Sequence, residues 1–164
     1  MEKIILAVAI VAFTTFCGYL FTKKYRRKKQ FYQQVNEFNE RFLNEISYYR
    51  RPLRDFATKY SYKGDFAELL DDFFTRVGQG EVTLGFVYAN PDMDFLNKEE
   101  KGEVDDYFQM LGKGDSASQK AFFSGEKERL KMRLKSAEES YKRYGELYGK
   151  LGFLCGIFIV ILIV

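Results

Sequence analysis

Residues 4–21 read IILAVAIVAFTTFCGYLF and carry no charged side chain. A helix of this length rises about 27 Å, close to the thickness of a bilayer's hydrocarbon core, so the segment predicts a membrane-spanning helix. Positive flanks stay on the cytoplasmic side, so the amino terminus is expected outside and the middle of the chain in the cytoplasm. The same basic side chains are expected to contact anionic lipid headgroups. This basic block consists of Lys23, Lys24, Arg26, Arg27, Lys28 and Lys29.

A cleaved secretory signal is the alternative interpretation of this first segment. A signal peptide carries its positive charge before the apolar stretch and small residues at a cleavage site after it. Here the charge follows the apolar stretch. The order of charge therefore favours a retained membrane span.

A second apolar segment, LGFLCGIFIVILIV, occupies residues 151–164. It rises only about 21 Å as a helix, which by itself is also typical of a buried core helix. Tyr141, Tyr144 and Tyr148 precede it at helical spacing, followed by Lys150. Aromatic rings and a snorkelling lysine at headgroup level favour a span that begins near Tyr148. The expected division is a span over 1–22, a cytoplasmic helical domain over 23–147 and a span over 148–164, with both termini outside.

The composition argues against several kinds of chemistry. The chain has no histidine, which removes the commonest general base and most zinc ligand sets. Cys17 and Cys155 both lie inside the apolar segments, so neither a disulfide framework nor a metal cluster is indicated. The basic block more than accounts for the net charge of +3, so the rest of the chain does not favour nucleic-acid binding. We therefore expect no catalytic residue, no metal and no cofactor.

The middle of the chain has helical periodicity almost throughout. One apolar stripe at steps of three or four continues from the first span and ends before Pro52. Its members are Phe31, Val35, Phe38, Phe42, Ile46 and Tyr49. A second helix is expected after Pro52 with Leu53, Phe56 and Tyr60 on its buried side. All these features predict an all-α domain.

Capping signals set the bounds of the next helices. Asp65 is the expected N-cap of a helix that Gly78 and Gly80 end. Residues 82–89 alternate like a strand, but we expect a short helix because a lone strand has no partner in this chain.

The last two helices have signals of their own. Asn97 and Glu100 have the spacing of a capping box. Asp115 is placed to cap a last helix that is expected to run without interruption for about 50 residues into the membrane. Its heptad seam favours packing against the chain's own first helix over an oligomer interface.

Three motifs together resemble the stage III sporulation protein AB family. They are EISYYRRPL at 45–53, LGKGD at 111–115 with Gln119 four residues on, and YGELYGKLG at 144–152 before the aliphatic tail. The resemblance covers essentially the whole chain. It implies a six-helix-bundle-like cytoplasmic domain similar to the F-type platform proteins of type II secretion and type IV pili. It also implies a place in the sporulation channel between mother cell and forespore, in the outer forespore membrane with the domain in the mother-cell cytosol. The partners implied are a co-encoded secretion-type ATPase and the other channel proteins.

Glu45 lies close to the apolar stripe of the first helix. An ionised carboxylate there needs a cation, and the candidates are Arg50, Arg51 and Arg76. We interpret this as a structural ion pair that fixes helix register rather than as a catalytic group.

Residues 92–106 hold seven carboxylates against two lysines, a net charge of minus five. Such a run is typical of a solvated helix face. The alternative is an acidic docking face for a basic partner surface, with the ATPase as the candidate partner. The side chains assigned to this face are Glu99, Glu100, Glu103, Asp105 and Asp106.

Both apolar segments contain glycines, and the three- and four-residue spacing of those near the second segment lets helices approach closely. Gly18 lies in the first, and Gly145, Gly149, Gly152 and Gly156 lie near or within the second. These glycines are able to pair the two spans with each other or with neighbouring proteins.

The sequence thus favours a non-enzymatic membrane platform that links an ATPase to the channel. A membrane-bound enzyme acting on lipid or cell-wall precursors is the first alternative, and its acid-base groups would have to be Asp and Glu at the membrane face. The second alternative is an adaptor that binds anionic lipid through the basic block.

Overall fold

The computed structural model describes residues 2–48, 59–81, 83–111, 113 and 115–163, and its regular elements are all helical. The elements are α1 (Glu2–Tyr48), α2 (Gly64–Gln79), α3 (Phe86–Ala89), a 3₁₀ turn (Pro91–Met93), α4 (Lys98–Met110), α5 (Ser116–Ser140), a π turn (Tyr141–Gly145) and α6 (Glu146–Ile163). The expected all-α class is confirmed. The predictions for Tyr49, Arg50, Arg51, Pro52, Leu53, Phe56, Val82, Gly112 and Gly114 fall outside the described residues.

The chain divides into two compact units. The first, called here the paired-helix unit, combines Met1–Lys29 with Lys135–Val164. The second, the central unit, is Gln30–Leu134.

The core of the central unit is built mainly from phenylalanine rings. Phe38 on α1 lies 5.5 Å from Phe66 on α2, and the rings of Phe42 on α1 and Phe123 on α5 meet edge to face at 4.8 Å. Phe108 on α4 is fully buried in the same core. Such aromatic pairs contribute about 0.5–1.5 kcal/mol beyond the burial of their area. The predicted stripe of α1 is confirmed from Phe31 to Phe42.

Local capping signals predicted several helix ends correctly. Asn97 and Glu100 form the reciprocal capping box, with the Glu100 N–H donating to Asn97 Oδ1 at 2.8 Å and the Asn97 N–H donating to Glu100 Oε2 at 2.9 Å. Asp115 accepts from the Ser118 N–H at 2.7 Å, which confirms the cap of α5. Gly80 ends α2 with a left-handed φ of 70°.

The expected N-cap of α2 was wrong. Lys63, in an extended conformation, is the N-cap and its side chain makes no capping hydrogen bond. Gly64 begins the helix with a φ of 63°, a value that suits glycine. Asp65 therefore lies in the first turn and is not the N-cap; its carboxylate interacts favourably there with the positive end of the helix dipole.

The last helix is not one regular α-helix. A π turn over Tyr141–Gly145 separates α5 from α6, and the Glu146 N–H donates to the Tyr141 carbonyl five residues back. Gly145 permits this turn, because a Cβ on Gly145 would lie 2.8 Å from the Tyr141 ring. A π turn inserts an extra residue into the helical repeat. The residues of the predicted heptad seam before and after this turn therefore do not continue along one face of the helix.

Candidate functional site

The two apolar helices pack against each other through their glycines. A Cβ on Gly18 would lie 2.6 Å from the Tyr148 carbonyl oxygen, and one on Gly152 would lie 2.7 Å from that of Thr14. Gly156 is in the same close contact with Thr14 and Val11. Backbones approach this closely only where side chains are absent. Of the two alternatives for these glycines, the structure places Gly18, Gly152 and Gly156 between the two apolar helices of the chain itself.

Polar and aromatic contacts continue this packing toward the basic block. The Thr22 hydroxyl lies 2.8 Å from the Gly145 carbonyl oxygen and 3.0 Å from the Gly18 carbonyl oxygen of its own helix, so its one proton is shared between the two acceptors. Tyr25 stacks on Tyr144 at 5.7 Å and on Tyr148 at 6.3 Å. Tyr25 of α1 thus contacts two of the three tyrosines that the sequence predicts at headgroup level.

The outer surface of the paired-helix unit is strongly apolar. Two helices of the described chain are long and apolar enough to cross a membrane. Phe13, Phe158 and Ile161 are exposed over 68%, 63% and 70% of their surfaces. Exposed apolar surface of this extent marks an interaction with lipid or protein.

The basic block follows this apolar surface on α1. Lys23, Lys24 and Arg26 are exposed. The Arg26 guanidinium donates to the Tyr19 hydroxyl at 3.0 Å, and Lys29 Nζ lies 5.3 Å from the centre of the Tyr141 ring. Both basic side chains thus lie against aromatic rings of the paired-helix unit.

The buried Glu45 pairs with a residue that the sequence did not suggest. Its carboxylate is 5% exposed and lies 3.4 Å from Lys59 Nζ. Arg76, one expected partner, instead pairs with Asp72 at 3.0 Å one helical turn away and with Glu81 at 3.7 Å. Asp72 lies on the same helix as Arg76, and Glu81 follows just after that helix ends, so both carboxylates are close to the Arg76 guanidinium. The other expected partners, Arg50 and Arg51, lie outside the described residues.

Two of the acidic residues assigned to the docking face are buried. Glu100 is 3% exposed and belongs to the capping box of α4. Asp105 is 4% exposed, and its carboxylate accepts from the Gly85 N–H at 2.9 Å and the Val87 N–H at 3.3 Å. Their oxygens satisfy backbone groups around α3 and at the start of α4. Neither side chain is therefore available to a partner, so the prediction that Glu100 and Asp105 belong to the docking face was wrong.

The remaining acidic residues lie on one side of α4. Glu99, Glu103 and Asp106 follow at i, i+4 and i+7, the spacing of one helix face. The Arg133 guanidinium of α5 donates to Glu103 at 2.6 Å and to Glu99 at 2.7 Å. Its hydrogen bonds to Glu103, and then to Glu99, raise the pKa of Arg133 above its ordinary value. Asp106 is exposed.

A buried polar group also ties α1 to α5. Asn39, 1% exposed, donates to the Phe123 carbonyl at 3.1 Å and accepts from the Tyr107 hydroxyl at 3.1 Å. Burial raises the pKa of Tyr107 well above its ordinary value. Sequence reasoning missed this group because the partners lie far apart in the chain. The only local signal was a polar residue beside Phe38 within the apolar stripe.

Within the described residues, no group of three or more Cys, Asp or Glu side chains is placed to hold a metal ion. The family model for stage III sporulation protein AB matches residues 3–164, nearly the whole chain. This match confirms the resemblance carried by the three motifs. No curated protein and no solved structure matches the chain.

Proposed function

Since the chain belongs to the stage III sporulation protein AB family and so has a role in sporulation, we propose that it is a non-enzymatic membrane platform of the sporulation channel. In this proposal it is a two-pass protein of the outer forespore membrane, with its central unit in the mother-cell cytosol. It couples a secretion-type ATPase to the membrane complex. The observation that carries the proposal is the pair of glycine-packed apolar helices with large apolar side chains on the outside.

The energetics favour a membrane anchor over a soluble hairpin. Burying a side chain such as Leu, Ile or Phe contributes about 1.5–3 kcal/mol. The paired-helix unit exposes many of these, including Phe16 at 57%, Leu154 at 58% and Leu162 at 71%. Transfer of this surface into lipid is worth far more than the marginal stability of an ordinary domain. The basic block then sets the orientation, with the central unit on the cytosolic side.

The contacts of the acidic residues support a platform rather than an enzyme. A catalytic carboxylate has to present an oxygen to its substrate. Glu100 and Asp105 direct theirs at backbone N–H groups, and Glu103 directs its oxygens at Arg133. These side chains hold α3, α4 and α5 together. Glu100, Asp105 and Glu103 therefore give the enzyme alternative no support.

We place the docking face for the ATPase on Glu99, Glu103 and Asp106. These carboxylates share one side of α4, and Arg133 neutralises only part of their charge. A basic partner surface would be steered to such a face and selected in orientation. Because Glu100 and Asp105 are structural, a test has to leave them unchanged.

The proposal is tested by capture of the co-encoded ATPase from sporulating cells with the full-length chain in a mild detergent. The Glu99→Lys/Asp106→Lys variant reverses two exposed charges of the face. The Glu68→Lys/Glu128→Lys variant makes the same charge change at exposed positions of α2 and α5. We expect the wild type and the control to retain the ATPase and the face variant to lose most of it. Equal capture by all three chains would refute the docking face, and no capture by the wild type would refute the coupling role.

A further inference from the structure

Contacts within the paired-helix unit show which residues of its two halves lie at the same height. Lys29 lies beside Tyr141, Thr22 beside Gly145 and Gly18 beside Gly152. Positions 22–29 of α1 therefore stand opposite positions 141–145 of the π turn. Lys142 and Arg143 are consequently at the height of the basic block, although 113 or more residues of chain separate them from it.

An open groove lies at this height. It has a volume of about 490 Å³ and is lined by Ser136, Glu139, Ser140, Lys142, Arg143 and Tyr144. This volume is within the range of small-molecule sites, about 300–1,000 Å³. Lys142 and Arg143 form no ion pair with another described residue. The groove thus offers two cations and three hydroxyl groups, those of Ser136, Ser140 and Tyr144, against one carboxylate.

The depth of the groove matches the polar layer of a bilayer. Arg143 precedes Tyr148, where the apolar stretch begins, by five residues, which is about 7.5 Å along a helix. The headgroup layer extends roughly 5–8 Å beyond the hydrocarbon core on each side. Tyr144, with its aromatic contact to Tyr25, lies just on the membrane side of Arg143. The two cations are therefore at the height of lipid phosphates.

We propose that this groove binds the headgroup of an anionic phospholipid. Lys142 and Arg143 bind the phosphate oxygens, and the Ser140 hydroxyl donates a further hydrogen bond. Glu139 disfavours a doubly charged phosphomonoester and accepts from a headgroup hydroxyl, so the lipid is a phosphodiester that carries hydroxyls, such as phosphatidylglycerol. The inference rests on the membrane placement in the proposed function.

The test measures lipid binding by the full-length chain in a neutral detergent, by native mass spectrometry during lipid titration. The probes are phosphatidylglycerol, phosphatidylcholine and free glycerol phosphate. The Lys142→Gln/Arg143→Gln variant removes both cations of the groove. The Lys120→Gln/Lys131→Gln variant removes the same charge from exposed positions of α5 in the central unit.

Phosphatidylglycerol is expected to bind the groove variant about 25-fold more weakly than the wild type, since each basic residue near an anionic headgroup contributes roughly fivefold. The control variant and the phosphatidylcholine titration are expected to show no such loss. Equal affinity of the wild type and the groove variant for phosphatidylglycerol would overturn the inference. Binding of glycerol phosphate as tight as that of the lipid would overturn it too, because the site would then take a soluble anion.

A milder substitution provides a second test in case the double variant does not fold. Ser140→Ala removes one hydroxyl and is expected to weaken phosphatidylglycerol binding severalfold with unchanged helix content by circular dichroism. Unchanged lipid affinity in Ser140→Ala and in a folded double variant would remove the groove as a lipid site. That result would leave the platform proposal intact, whereas recovery of the wild type in the soluble cell fraction would contradict the platform proposal itself.

Discussion

Asp105 and Asp106 are adjacent acidic residues with opposite expected effects on stability. Asp105→Ala removes the acceptor of two backbone hydrogen bonds, from Gly85 at 2.9 Å and Val87 at 3.3 Å. A hydrogen bond to a charged group is worth about 1.5–3 kcal/mol, and a buried donor left without a partner has a desolvation cost of similar size. Val87 is fully buried, whereas Gly85 is only part-buried and its N–H can be hydrated.

We therefore expect Asp105→Ala to lower the free energy of unfolding by about 3 kcal/mol, one full bond and part of a second. Asp106→Ala is the matched control, since its side chain is exposed and a surface change of this kind stays within about 0.5 kcal/mol. Urea unfolding of the full-length chain in mild detergent gives both values. Hydrogen exchange of a peptide over residues 83–89 shows whether the lost protection is local.

The reasoning fails if both variants unfold at the same urea concentration. It also fails if Asp105→Ala is destabilised while the amides of Gly85 and Val87 keep their protection. Either result would mean that the carboxylate does not hold the start of α3. Asp105 would then again be assigned to the acidic docking face.

Three further predictions concern the core, the helix pair and alkaline pH. Asn39→Ala leaves the Tyr107 hydroxyl and the Phe123 carbonyl without their partner, so urea unfolding should show a loss of about 2–4 kcal/mol, while the exposed Asn44→Ala should show little. Gly152→Ala forces apart backbones that meet within 2.7 Å of its new Cβ and should lower the thermal midpoint in detergent, whereas Gly125→Ala, with open space around it, should raise stability by about 1 kcal/mol. Burial raises the pKa of Tyr62 to about 12 and also raises the pKa of Tyr107 well above its ordinary value. The stabilisation from Tyr62 is therefore complete below pH 10 and is lost as the pH rises from 10 through 12, which absorbance at 295 nm should show as phenol ionisation coupled to unfolding.

The sequence predicted what local patterns encode. The stripe from Phe31 to Phe42 and the capping box at Asn97 depend on residues within one or two turns of helix, so the structure confirms both. The left-handed start at Gly64 was missed because a nearby Asp65 offered the more usual signal.

Long-range partners were not predictable in the same way. Arg133 meets Glu103 from a helix 30 residues away, and Asn39 bonds to Phe123 across 84 residues. The acidic run predicts that Asp105 belongs to an exposed docking face, and only the packing of α3 against α4 shows that it is buried. The π turn at Tyr141–Gly145 has no apolar pattern to mark it.

Labelling of a single cysteine shows on which side of the membrane the central unit lies. Cys17→Ala/Cys155→Ala removes the native thiols, and Ser118→Cys places one at an exposed position of α5 in the central unit. Protoplasts of vegetative cells that express the chain, where it inserts into the cytoplasmic membrane, are treated with a membrane-impermeant maleimide before and after permeabilisation. We predict a membrane-bound protein that is labelled only after permeabilisation. Labelling in intact protoplasts, or recovery of the chain in the soluble fraction, would contradict it.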